Sequence, residues 1–290
     1  MEFPVVAASQ ERLPENQKAA LISLLADEDP SIYATVRSRL LAVGPPVCEW
    51  LRPHLLSNDP LLRRRARDLS LHFGRQAADN RFLAFCLRQS EELDLEHGVW
   101  LLTQTQYPDT NVEAYQALMD LFADELRDQL LTLHGAKSVL GVLNELLFQQ
   151  LGFRGNEHNY YDPENSYLNT VMDRRTGNPI SLCLIYLLVA RRLRLPVAGI
   201  GLPGHFLCRY QSSSEEVFVD CFNQGKLMTK ADCIHYLVRG NYDLQEDYLA
   251  PLTPRRMLMR VCGNLHRIYF HLNQMEEATR LQRYLVALAR

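Results

Sequence analysis

The stretch Gly177-Asn178-Pro179-Ile180-Ser181-Leu182-Cys183-Leu184-Ile185-Tyr186-Leu187-Leu188-Val189-Ala190, running on through Leu195 to Pro196, decides how this 290-residue chain is read. Asn178 is a natural N-cap, and Pro179 suits a first helical position, where its missing N–H is an orphan anyway. The run that follows, Ile180 to Ala190, is the longest apolar stretch in the chain, interrupted by Ser181 and Tyr186. Downstream stand Leu202-Pro203-Gly204-His205-Phe206 and Phe218-Val219-Asp220, both in segments with strand character. His205 and Asp220 are 15 residues apart with the hairpin signal Ser212-Ser213-Ser214 between them, so antiparallel neighbours would set them side by side. The order is a helix for a nucleophile, a strand for a histidine and a strand for an aspartate. A thiol at such a helix start is stabilised as thiolate by the macrodipole; a histidine then serves as base and a carboxylate orients it. Here the helix start holds Pro179, and the nearest thiol is Cys183, four residues on.

Working outward, the rest of the chain is mostly helical in pattern. Leu24 to Pro30 recurs loosely as Leu55 to Pro60, an Asp-Pro each time ahead of an arginine-bearing helix (Val36 to Leu41; Leu62 to Phe73). A period near 30 suggests two short units resembling HEAT repeats. Helical pattern continues over Asn80 to Gln89, Asp94 to Thr105, Asn111 to Leu133 and Lys137 to Gln150. A polar, aromatic loop, Asn156 to Asn165, then carries Tyr160-Tyr161-Asp162-Pro163 and is too particular for a plain linker. Strand character appears only after Pro196: Val197 to Gly201, Phe206 to Gln211 and Val217 to Cys221. The tail reads as two amphipathic helices, Pro254 to Leu272 and Met275 to Ala289, joined by Asn273-Gln274.

Taken together, Asp162 to Leu168, Arg174 to Leu182, Leu202-Pro203-Gly204-His205-Phe206-Leu207 and Asp220-Cys221-Phe222-Asn223-Gln224-Gly225 resemble the bacterial SirB-type transglutaminase-like family over roughly Asp94 to Arg290. That resemblance implies a papain-like core with a Cys-His-Asp triad, a helical N-terminal segment and a TPR-like tail. The expected fold is therefore α+β and predominantly α: a helical HEAT-like segment (1–90), a transglutaminase-like core with a small antiparallel sheet (91–250) and a TPR-like helical hairpin (251–290). In active cores of this kind the implied pattern is Gly-x-Cys with a Pro 17 residues after the Cys. Counting back 17 from Pro196 gives Pro179, so the triad thiol is replaced by an imino acid.

Three functions remain open at this point, one of them a scaffold built from the helical repeats, which predicts that partner binding survives His205→Ala and is lost when Pro30 to Phe73 is removed. The favoured one is a non-catalytic transglutaminase-like protein that binds a protein or peptide partner in a degenerate cleft. The cleft residues would be Tyr160, Tyr161, Asn165, Arg175, Asn178, Pro179 and Asn223, beside His205 and Asp220. The alternative is a thiol enzyme, a protease, amidase or transglutaminase, with Cys183 as nucleophile, His205 as base and Asp220 as orienter. Four residues advance a helix by about 6 Å and 400°, so Cys183 shares the face of Pro179 one turn deeper, among leucines that favour a neutral core thiol. A zinc reading fails on spacing. His205 and Cys208 are three apart on a strand, and Cys233 and His235 two apart on a helix, so each pair diverges. No metal or cofactor is expected. A net charge of −3 gives no field for nucleic acid, and no apolar stretch is long enough to span a bilayer. Seven unpatterned cysteines fit a reducing cytoplasm better than a disulfide framework.

Overall fold

The computed structural model describes residues 13–88, 93–243 and 245–290. The polar N-terminal stretch through residue 12, the end of the expected helix at Gln89 and the expected boundary at 90/91 lie outside them. Two compact units divide the chain, Met1–Ala78 and Asp79–Arg290.

In the first unit, α1 (Glu15–Leu24), α2 (Pro30–Val43), α3 (Val47–Leu51) and the leading part of α4 (Pro60–Cys86) enclose a core of Ile22, Leu25, Val36, Leu40, Leu51, Leu69 and Phe73. The two Asp-Pro pairs act as helix starts. Asp29 Oδ1 accepts from Ser31 N at 2.7 Å, Asp59 Oδ1 accepts from Leu61 N at 2.8 Å, and each proline occupies the first turn. One expectation is corrected here: Leu62 to Phe73 and the segment from Asn80 form a single helix that passes through Gly74. A lone glycine costs a helix only about 1 kcal/mol, and the buried side chains of α4 outweigh it.

The second unit contains α5 (Leu95–Gln106), α6 (Val112–Leu130) and α7 (Ala136–Asn144), the last continued by a π-helical turn at Glu145–Gln150. Next come β1 (Arg154–Gly155), α8 (Leu168–Arg174), β2 (Thr176–Gly177) and α9 (Pro179–Arg192). The sheet strands are β3 (Val197–Ile200), β4 (Leu207–Gln211), β5 (Glu216–Asp220) and β6 (Lys226–Met228), ordered β3-β4-β5-β6 and antiparallel throughout. Closing the chain are α10 (Lys230–Arg239), α11 (Pro254–His271) and α12 (Met275–Leu288). β6 is a strand the sequence did not reveal; three residues are too few to display alternation. The architecture is the expected one, predominantly helical α+β with a small antiparallel sheet.

α9 is the axis of this unit. Twelve of its 14 residues are buried, the exceptions being Arg191 and Arg192 at its end. Its start is fixed from both sides: Asn178 Oδ1 accepts from Ser181 N at 3.0 Å, and Asn178 Nδ2 donates to Ser166 Oγ at 2.8 Å. Its end is clamped by Arg192, which donates to both oxygens of Glu96 (2.7 and 3.1 Å) and to Asp120 Oδ1 (2.5 Å), tying α9 to α5 and α6. The α11–α12 hairpin shares the same core. Leu258, Val261, Leu265, Leu281 and Leu288 join Leu184 and Leu188 in one apolar cluster, and the hydroxyls of Tyr167 and Tyr269 meet at 2.9 Å inside it. Among the described residues no helix is long and apolar enough to cross a membrane.

Candidate functional site

His205 leads into β4 directly after Gly204, whose φ of +73° is left-handed and needs a residue without Cβ. Asp220 closes β5. Cys208 pairs with Val219 across the ladder, which brings the strand ends carrying His205 and Asp220 together. His205 Nε2 lies 2.9 Å from Asp220 Oδ2, with both side chains largely buried. Burial works against the Asp220 charge, but the hydrogen bond and charge of His205 and two donors from Asn223 outweigh it and hold the carboxyl below its ordinary value. Those donors are Asn223 Nδ2 at 2.7 Å and Asn223 N at 3.2 Å. An ionised carboxylate only accepts, so Nε2 carries a hydrogen toward Asp220, and Nδ1 is the ring nitrogen left outside the pair. Among the described residues Nδ1 has no hydrogen-bond partner. Phe222 meets the imidazole edge to face (6.3 Å between centroids), and Tyr236 lies tilted against it at 5.8 Å.

Two adjoining cavities flank this histidine, of about 340 and 730 Å³. Tyr160, Pro179, Gly204 and His205 line both. The start of α9 therefore faces the cleft beside the imidazole, where a triad nucleophile would stand, and the residue there is Pro179. Cys183 is elsewhere. Its thiol is wholly buried and donates to the Phe206 carbonyl at 3.6 Å. Burial and the neighbouring Cys208 thiol push its pKa well above the ordinary value. Cys208 in turn donates to the Cys183 carbonyl (3.7 Å) and Cys221 to Cys208 Sγ (3.8 Å).

The remaining expected cleft residues separate into two groups. Tyr160, Tyr161, Asn178, Pro179 and Asn223 do line the cavities. Asn165 is instead a buried brace. Its Nδ2 donates to the carbonyls of Asn159 (2.7 Å) and Tyr160 (3.2 Å), and its own carbonyl accepts from Ser181 Oγ at 2.6 Å. Arg175 is the left-handed C-cap of α8, with its guanidinium over the Phe153 ring at 4.6 Å, and it does not line the cleft. The metal expectation also needs amending in its geometry: Cys183, Cys208 and Cys221 hold their sulfurs within 4.8 Å of one another, a grouping that spacing did not disclose. Among the described residues these are the donors that could converge on an ion, and His205, Cys233 and His235 are not with them.

Sequence reasoning missed the far wall of the cleft. Arg260, Gly263, Asn264 and Arg267 come from α11, and Tyr236 from α10. The available signal was a polar stripe at positions i, i+4 and i+7 beside the apolar face of Leu258, Val261, Leu265 and Ile268.

A family model described as the transglutaminase-like superfamily matches residues 113–263. A UPF0162 protein of Xylella fastidiosa is 36% identical over 197 residues, spanning 66% of this chain and 70% of that protein. One from Pseudomonas aeruginosa is 27% identical over 190 residues, 63% of this chain and 67% of its own. The F-box only protein 21 of Homo sapiens is 36% identical over 135 residues, 44% of this chain but 21% of that protein. No solved structure matches the chain.

Proposed function

Because the chain belongs to the transglutaminase-like superfamily, we propose that it is a non-catalytic, SirB-type member that binds a peptide or protein segment in the cleft beside His205. The observation that carries this reading is the identity of the residue at the start of α9. Pro179 lines both cavities next to the His205–Asp220 pair, while the nearest thiol is sealed one turn below. A base and its orienting carboxylate without a reachable nucleophile cannot form an acyl intermediate. They retain a fixed hydrogen-bonding edge, Nδ1, at the centre of a cleft walled by Tyr160, Tyr236 and Phe222. Aromatic side chains with polar tips favour peptide recognition, since they offer large contact area at low entropy cost.

In this reading the α11–α12 hairpin, TPR-like in pattern, serves as a cleft wall rather than a repeat array, because one unit cannot build a groove of its own. The HEAT-like helices of the first unit offer a further surface for a protein partner, and seven free thiols suit a reducing cytoplasm. The competing thiol-enzyme reading needs Cys183 to reach solvent; His205 does favour its thiolate, but complete burial outweighs that.

The test is selection of displayed peptides on the intact protein, with Gly263→Phe as a plugged control. A Cβ on Gly263 meets nothing within 4 Å, so the ring enters cavity space without a clash at its root. The expected result is peptides that bind the wild type and lose affinity at least about tenfold on the variant, the scale of one truncated anchor. Peptides that bind both proteins equally defeat the cleft reading. Turnover of an amide or amine substrate that disappears in Cys183→Ala defeats the non-catalytic one.

A further inference from the structure

We infer that the cleft holds a peptide carboxylate between Arg260 and Arg267 of α11, beside His205. This rests on the peptide-binding reading and names the chemistry of what is bound. Arg260, Asn264 and Arg267 lie at i, i+4 and i+7 on one helix face, and all three line the smaller cavity. Two turns separate the arginines, about 10.5 Å along the axis. Gly263 leaves open space between them, since nothing lies within 4 Å of where its Cβ would be.

Their charge is not neutralised by the protein. Arg260 gives one nitrogen to the carbonyls of Leu202 (2.9 Å) and His205 (3.4 Å), and among the described residues neither arginine has a carboxylate within 4.0 Å. Three other partly buried arginines of this unit are paired with acids. Arg192 meets Glu96 and Asp120, Arg209 meets Glu216, and Arg280 meets Glu277. Arg175 has no carboxylate either, but it rests on the rings of Phe153 and Phe122, outside the cleft. At Arg260, burial and then the like charge of Arg267 both disfavour the cation. An anion placed between the two relieves both. Tyr160 lies close enough to feel both arginines, and its neutral hydroxyl is a further donor.

The chemistry favours a carboxylate carried on a chain. Two guanidinium forks match carboxylate geometry, and the adjoining larger cavity, with Phe222, Tyr236 and Tyr242 on its walls, has room for flanking residues. The cleft's own acids, Asp220 and Asp232, line only that larger cavity. The ligand's negative charge therefore belongs at the α11 end. The carboxylate has two sources, an acidic side chain or a free C-terminus.

The probes are fluorescent heptapeptide pools with a fixed central Glu, Gln or phosphoserine, each made with an amidated and with a free C-terminus. Anisotropy is measured on the full chain at low and high salt. A charge-assisted contact predicts about tenfold or more tighter binding for a carboxylate pool than for the Gln-amide pool, weakening as salt rises. Preference for the Glu-amide pool identifies a side chain, and preference for the Gln free acid identifies a terminus. Arg267→Gln, an exposed and structurally mild change, should bring the favoured pool down to the Gln-amide level. Arg260→Gln should do the same, with circular dichroism to confirm folding. Equal binding of all pools that is lost in Gly263→Phe overturns the carboxylate and leaves the cleft reading standing. Preference for phosphoserine alone overturns it as well. Binding unaffected by Gly263→Phe, or none at millimolar peptide, overturns both.

Discussion

Replacing Pro179 with Cys restores a thiol to the first position of α9, on the cleft that His205 also lines. Folding should survive. Losing the preset φ of proline costs about 0.4–1 kcal/mol, and Asn178 still caps the helix. The expected reactivity can be worked out. A free thiol of pKa about 8.5 is roughly 3% thiolate at pH 7. A helix N-terminus that lowers it to about 7 raises that to about 50%, some sixteenfold. A Brønsted slope of about 0.45 gives back roughly fivefold in intrinsic nucleophilicity, leaving about threefold over a free thiol. Cys183 moves the other way. Its sulfur has no exposed surface and its helix is buried at twelve of fourteen positions. Labelling then requires opening that approaches global unfolding, about 5 kcal/mol or more, and slows the reaction several-thousandfold. The rate at position 179 should exceed that at Cys183 by about 10⁴. Iodoacetamide labelling followed by peptide mass mapping reads both sites, and mapping also separates half-buried Cys48. His205→Ala in the Pro179→Cys background should remove part of the gain. Native Cys183 reacting within about tenfold of a free thiol would refute the argument that burial protects it. A Pro179→Cys thiol no faster than Cys183 would refute the claim that this position faces the cleft.

Three further outcomes follow from the geometry. Asn178→Ala removes the N-cap of α9, worth about 1 kcal/mol, and strands a buried partner on Ser166, worth about 1–2 kcal/mol more. Urea unfolding should therefore show a loss of about 2–3 kcal/mol at unchanged m, and a loss under about 0.5 kcal/mol would contradict the cap assignment. The folded Asp220 carboxyl sits below its ordinary 3.8, so its contribution is complete above that value and disappears as pH falls through the lower folded one. Wild-type stability should thus decline more steeply below about pH 4 than that of Asp220→Asn, and parallel curves between pH 6 and 3 would exclude the pair as a source. Gly155→Ala puts a methyl 2.6 Å from the Phe222 ring, an overpacking worth about 1–3 kcal/mol. Because Phe222 edges the imidazole, NMR of the His205 ring should register the change; an unaltered ring signal with unaltered stability would be the contrary result.

Much of this protein was legible in the chain because the signals are local. Asn178-Pro179 ahead of an apolar run marked the start of α9. The Asp-Pro pairs marked helix starts, and the tail divided at Asn273-Gln274 as its amphipathic pattern indicated. His205 and Asp220 could be paired from sequence because a short hairpin joins their strands, and antiparallel alternation then leaves little freedom. Local rules failed where a longer-range gain overrode them: Gly74 did not stop α4 because buried side chains carry the helix past it.

Other features depend on how segments remote in sequence pack, and no local pattern encodes that. Arg260 reaches the His205 carbonyl across 55 positions of chain, because α11 is held to the core by the same apolar seam that buries α9. Cys183, Cys208 and Cys221 converge because α9 lies on the sheet that bears Cys208 and is followed, directly after β5, by Cys221. Asn165 and Arg175 looked like cleft residues by their position in the chain and were turned into a brace and a helix cap by the segments around them. Sequence alone determined that the helix start carries no sulfur, because a residue's identity needs no fold. Only the tertiary structure decided that this start opens on a cleft with two arginines that no carboxylate of the described residues pairs, because exposure and charge pairing belong to the packing of several elements at once.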